Sequence, residues 1–260
     1  MTTLTLPSNA AAATPSLASR LLSLAYGSAV YALFLGTFLY MIAFVGGVLV
    51  PKHIDSGAAA PLTTALLVNG GFLALFAVQH TIMARRGFKR RWTRIIPGQV
   101  ERSTFVLATC LILIGMVWSW APLPAVVWHV EGAAAVALWT LCGLGWAIVL
   151  VSTFLIDHFQ LFGLRQVVLH ALGRREEQPR FVERGLYRWI RHPLMTGFLI
   201  AFWSTPHMTV GHLFFAATCT VYILVALSIE ERSLIAEHGE RYLVYKRRVP
   251  GLVPRPRRAV

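Results

Sequence analysis

The sequence predicts an all-α integral membrane protein with five to six transmembrane helices, the last two a short hairpin, and a cytosolic helical C-terminal segment. Three observations predict it. Hydrophobic residues make up 56% of the 260-residue chain and charged residues only 13%, far from the balance of a soluble domain. Apolar runs of the ~20 residues needed to cross a bilayer recur along it. Its Lys and Arg residues fall almost wholly on alternate connections between those runs.

Residues 1–20 are rich in Ala, Ser and Thr and nearly uncharged, and they read as an N-terminal arm. They lack the basic start, short apolar core and cleavage site of a secretory signal. Spans are predicted at 22–50, 61–84, 104–128 and 132–156, forming a four-helix transmembrane region over 21–156. The first is long enough to tilt or to extend beyond the lipid. A tighter pair is predicted at 193–206 and 210–229, split by Pro206-His207. That hairpin and the tail place a third region at 157–260. No separate soluble domain is expected, because the polar connection 157–192 has only 36 residues.

Charge orients the layout. Of 24 Lys and Arg residues, seven lie in 85–103, seven in 157–192 and eight from 230 onward, leaving Arg20 and Lys52. Placing both termini in the cytoplasm puts 23 of the 24 inside, as the positive-inside rule requires. The net charge of +13 then reflects topology and attraction to membrane lipids, with no base-reading module to suggest nucleic acid. Cys110, Cys142 and Cys219 all fall in spans without CxxC or Cys–His spacing, so they read as small buried apolar residues and no metal is expected. Gly143 and Gly145 lie inside a span, where glycine serves close helix packing.

The candidate chemistry gathers on the cytoplasmic side in four places. Gln79 and His80 sit near the end of the second span, ahead of the basic run 85–94; a histidine there can titrate or donate. Asp157, His158, Gln160 and Arg165 leave the fourth span together. Third comes Arg191-His192-Pro193. A proline suits the first turn of a helix, helix N-termini attract anions, and Arg191 adds a bidentate fork. Last are Glu230-Glu231, followed by Tyr242 and Tyr245 on one helical face, where they would cover a flat ring.

Arg191-His192-Pro193, Gly197, Glu230-Glu231, Leu234, Gly239, Tyr242, Tyr245 and Val249-Pro250 resemble the pattern of the isoprenylcysteine carboxyl methyltransferase superfamily. Met195 stands where that pattern has Tyr. Upstream, the segments 79–85, 88–89, 92–97 with Glu101-Arg102-Ser103, and 158–166 resemble its methanethiol S-methyltransferase branch, in which Asp is expected where this chain has Gln160. The resemblance spans about residues 79–254. It implies S-adenosylmethionine as cofactor, bound by Tyr187, Arg191, His192, Pro193, Glu230 and Glu231, with Tyr242 and Tyr245 as additions. It implies methanethiol as the acceptor, dimethyl sulfide as the product, and a bacterial inner membrane as the location.

The nucleophile of such a reaction is a thiolate. A base is therefore expected, with His80 first and His158 or Asp157 behind it. Gln79, Gln160 and Arg165 are the expected substrate contacts. Two alternatives stay open at this level: methylation of another lipophilic acceptor such as a prenylcysteine carboxylate or another thiol, and a non-catalytic membrane assembly factor.

Overall fold

The computed structural model describes residues 16–174 and 183–254. Most of the expected arm (1–15), part of the long polar connection (175–182) and the last six residues lie outside the described residues. Ten α-helices are described: α1 (Leu17–Gly46), α2 (Leu62–Met83), α3 (Arg86–Trp92), α4 (Gly98–Ser119), α5 (Gly132–Ile156), α6 (His158–Leu161), α7 (Leu164–Ala171), α8 (Pro193–Trp203), α9 (Val210–His238) and α10 (Glu240–Arg248). A 3₁₀ turn occupies Gly185–Arg188, and two short strands, β1 (Val126–His129) and β2 (His207–Thr209), pair antiparallel.

Helices α1, α2, α4, α5 and α9 are each long and apolar enough to cross a membrane. Leu39, Leu67, Val136 and Val221 project outward from them, the lipid-facing surface of a bundle that has no water to hide from there. The sixth apolar helix, α8, has 11 residues, about 16 Å of length and short of the ~30 Å hydrocarbon core. The chain is thus a multi-pass helical membrane protein of five long helices and one short one.

Several boundaries differ from the sequence reading; the first span, for one, runs from Leu17 to Gly46 instead of 22–50. The third span runs from Gly98 to Ser119, and the apolar residues beyond it turn into β1. Pro122 and Pro124 cannot supply the backbone donors that a continuing helix needs. The last span does not stop at Ile229 but continues as helix to His238. There Gly239, at φ 56°, takes a conformation that a side chain would strain and starts α10.

The connections poor in Lys and Arg meet at one end. Lys52 Nζ donates to the Trp120 carbonyl at 3.0 Å, the Asn69 amide exchanges two bonds with Ala121, and Thr209 Oγ1 donates to Asp55 at 2.5 Å. A core of Phe44, Ile54, Met116, Trp120, Phe202 and Phe215 fills this end. A second cluster, Val30, Met83, Phe105, Val106 and Cys110, lies toward the basic end.

Helices α5 and α8 approach each other closely. A Cβ on Gly145 would sit 2.6 Å from Ala201 N, and one on Gly197 would sit 2.7 Å from the Gly145 carbonyl. Two glycines therefore let the backbones touch, and this contact fixes where the N-terminus of α8 begins.

Candidate functional site

Pro193 is the first residue of α8 and His192 its N-cap, because the proline ring pre-sets a helical φ and needs no donor. The tail after α10 folds back on it. Arg191 N donates to the Pro250 carbonyl at 2.8 Å, His192 N to Gly251 at 3.1 Å, and Thr196 Oγ1 to Leu252 at 2.7 Å.

Glu231 is the hub of the charged network. Its Oε1 accepts from Arg191 Nε at 2.8 Å and Nη2 at 2.7 Å and meets His192 Nε2 at 3.1 Å, while Oε2 pairs with Lys246 Nζ at 2.6 Å. Arg191 Nη1 also donates to the Lys246 and Val249 carbonyls. Both functional groups of the Arg-His-Pro segment are therefore already engaged. Beside the network lies an open cavity of about 340 Å³, lined by Arg191, His192, Leu227, Ser228, Glu231 and the backbone from Pro250 to Val253. Its size is that of a small-molecule site.

Glu230 behaves differently. It makes no hydrogen bond or ion pair among the described residues. Two contacts fix the side of α9 that it occupies. Tyr222 meets Phe76 of α2 with ring centroids 5.8 Å apart, and Glu237 pairs with Arg86 at the start of α3. Residues 222, 226, 230, 233 and 237 share one helical stripe by spacing. Glu230 thus shares the α2-facing side of α9 with Tyr222 and lies within electrostatic reach of His192 and Tyr187.

His80 stacks on Phe76 at 5.2 Å and meets Phe105 at 4.9 Å. Its Nδ1 is buried without a hydrogen-bond partner. Gln79 is held: Oε1 accepts from Thr109 Oγ1 at 3.2 Å and Nε2 points at Met83 Sδ.

The cluster leaving α5 is occupied with building its own turn. Asp157 caps α6 by accepting from Gln160 N at 3.0 Å and pairs with Arg165. His158 is buried inside a ring of Phe34, Phe154 and Phe162, with Nε2 2.9 Å from Tyr31 Oη and Nδ1 2.8 Å from Thr153 Oγ1. Burial holds its pKa below the ordinary imidazole value although Asp157 pulls the other way. Both ring nitrogens being taken, no lone pair is left open for a substrate proton.

Tyr242 and Tyr245 are buried, packed with Val249 against Leu234 and Ile235. They pin α10 to α9 instead of presenting an open face. Burial, with the Glu231 carboxylate adding to it, pushes the Tyr242 phenol up to about 12. Tyr187 and Tyr245 are raised as well, again mainly by burial, and Tyr245 Oη donates to the Tyr187 carbonyl at 2.7 Å.

Sequence reasoning missed Lys246, Thr196 and the 250–253 backbone as parts of this site. The Val249-Pro250 pair was the available signal, since a proline just past a short helix marks where the chain turns back.

The fold and site define an integral membrane protein with an open cavity at the basic ends of its helices. Comparison places it further. Residues 67–249 match the family model described as NnrU protein. The chain is 52% identical over 240 residues to a methanethiol S-methyltransferase of Mycobacterium tuberculosis, covering 92% of this chain and 98% of the relative. It is 48% identical over 230 residues to methanethiol S-methyltransferase 1 of Bradyrhizobium diazoefficiens, covering 88% and 81%. The chain belongs to the NnrU family and groups there with the membrane methyltransferases that bear this name. No solved structure matches it.

Proposed function

We propose that the protein transfers a methyl group from S-adenosylmethionine to the thiolate of methanethiol, releasing dimethyl sulfide, at the cytosolic face of a bacterial inner membrane with both termini cytoplasmic. The observation that carries the reading is the division of labour between adjacent carboxylates. Glu231 is saturated by three basic groups, whereas Glu230 is open and faces α2.

The residues fit the cofactor. An open carboxylate suits a ligand with a sulfonium, an ammonium and ribose hydroxyls, and a cavity of about 340 Å³ lined by backbone groups suits a nucleoside-sized ligand. Bound S-adenosylmethionine supplies a methyl carbon already activated for in-line displacement. Glu230 holds that ligand's cationic or hydroxyl groups, and His192 with the 250–253 backbone walls it in. His80, its Nδ1 open, accepts the proton of the thiol. The apolar rings of Phe76 and Phe105 around it keep water out, which favours a displacement that neutralises charge. A substrate this small offers little binding energy, so the fit of the pocket does the selecting.

The test is headspace gas chromatography of detergent-purified protein supplied with S-adenosylmethionine and methanethiol. Dimethyl sulfide above a control without donor is expected. Its absence from protein that binds the donor would remove methanethiol as the acceptor.

A further inference from the structure

We propose that Arg102 is the anion-binding residue of the acceptor site, its guanidinium holding the substrate sulfur as thiolate while His80 takes the proton; this rests on the methyl-transfer reading above. Arg102 lies in the second turn of α4, partly buried. Its Nε donates to the Leu161 carbonyl at 2.6 Å and its Cζ stands 4.5 Å from the Phe105 ring centroid. Neither contact neutralises it. Glu101, beside it in sequence, is turned toward Lys89 of α3 at 3.6 Å, and no carboxylate pairs with Arg102 among the described residues. Neither terminal nitrogen of the fork has a hydrogen-bond acceptor among the described residues. An unpaired guanidinium among apolar side chains is costly, and such groups mark places where an anion forms or binds.

The same Phe105 ring carries His80, centroid to centroid 4.9 Å. One aromatic ring therefore brings together a cation with an open fork and an imidazole with an open, buried nitrogen. The other ionisable groups around this place are Lys89 and Glu101, Tyr26 on α1, bonded to Thr104, and Tyr222 and Glu230 on the facing stripe of α9. Arg102 stands out among them as a cation with no ion pair among the described residues, Glu101 acting on it only through space. A nearby Arg lowers the pKa of a thiol.

The step balances. The S–H bond breaks and its proton goes to His80, which becomes imidazolium. The sulfur keeps the electron pair beside Arg102 and uses it to form the new C–S bond. The donor's C–S bond breaks, its pair returning to the donor's sulfur as a neutral thioether.

The experiment measures kcat/KM against pH for wild type, Arg102→Gln and Arg102→Lys in detergent, with methanethiol and with the more acidic 2,2,2-trifluoroethanethiol. Arg102→Gln should lose about tenfold or more with methanethiol near neutrality, a pKa unit being a factor of ten. The loss should shrink at alkaline pH and with the acidic thiol, and Arg102→Lys should keep the wild-type pH profile with intermediate activity. A loss equal at every pH and for both thiols, or none, overturns the inference while leaving methyl transfer intact. A wild type inactive toward both thiols overturns both. Inhibition of the wild type by thiocyanate gives an answer that does not depend on a variant folding. Competition with methanethiol is expected, and inhibition indifferent to thiol concentration overturns the assignment.

Discussion

Arg191 places both Nε and Nη2 on one oxygen of Glu231, at 2.8 and 2.7 Å, across 40 residues of sequence. This fork ties the start of α8 to α9, and Lys246 ties α10 to the other oxygen at 2.6 Å. Three elements beside the cavity thus share one carboxylate, whose neighbour Glu230 makes no ion pair among the described residues.

The first prediction separates those neighbours. Glu231→Ala should destabilise the protein by on the order of 3 kcal/mol, because it strands Arg191, whose side chain is largely removed from water. Glu230→Gln should leave the melting temperature nearly unchanged and weaken S-adenosylmethionine binding at least tenfold. Thermal melts and calorimetric titration of the two variants check this; equal effects on both readouts would undo the division.

His80→Gln should lower turnover with methanethiol by roughly a hundredfold, the lower range for losing a general base. Cofactor affinity should be retained, since Nδ1 of His80 has no partner in the fold to lose. Single-turnover rates with saturating cofactor measure the effect.

His158 should act on stability, not on chemistry. Its folded pKa lies below the ordinary 6.5 because burial disfavours the charged ring. The unfolded chain therefore binds the proton more readily. The resulting stability is fully present above pH 6.5 and is lost as pH falls below it toward the folded pKa. Melting temperatures of wild type should fall across that interval, and His158→Gln should be less stable at neutral pH with a flatter dependence.

Gly145→Ala or Gly197→Ala should cost about 1–3 kcal/mol, the range for forcing atoms into a packed contact. The new methyl would meet backbone at 2.6 or 2.7 Å, so α8 must shift and carry His192 with it. Loss of stability with retained activity would show that the site tolerates such a shift.

Much of the fold was legible in the sequence because apolar length is a strong signal. Helices α2 and α5 fall within a residue or two of the predicted 61–84 and 132–156. The misjudged ends share one cause: hydropathy reports lipid contact, not helix. It ran on through Pro122 and Pro124 into the apolar strand β1, and it stopped at Glu230 although the helix-forming residues that follow extend α9 to His238. In the site, Arg191, His192 and Glu231 were legible as residues, but their mutual pairing was not, since no spacing rule reaches across the hairpin. Asp157 and His158 looked chemical because polar groups cluster there. The structure spends them on capping α6 and on bonds to Thr153 and Tyr31. Arg102 drew no separate attention, because one arginine among seven in a basic segment reads as topology until its lack of a counter-ion is seen.

The most direct measurement supplies S-adenosylmethionine carrying a deuterated methyl group, with unlabelled methanethiol, to wild type and Glu230→Gln side by side, and weighs the volatile product. The account predicts dimethyl sulfide heavier by one labelled methyl group from the wild type and a marked loss of rate in the variant at limiting donor. Unlabelled product, or none from protein that binds the donor, would contradict it.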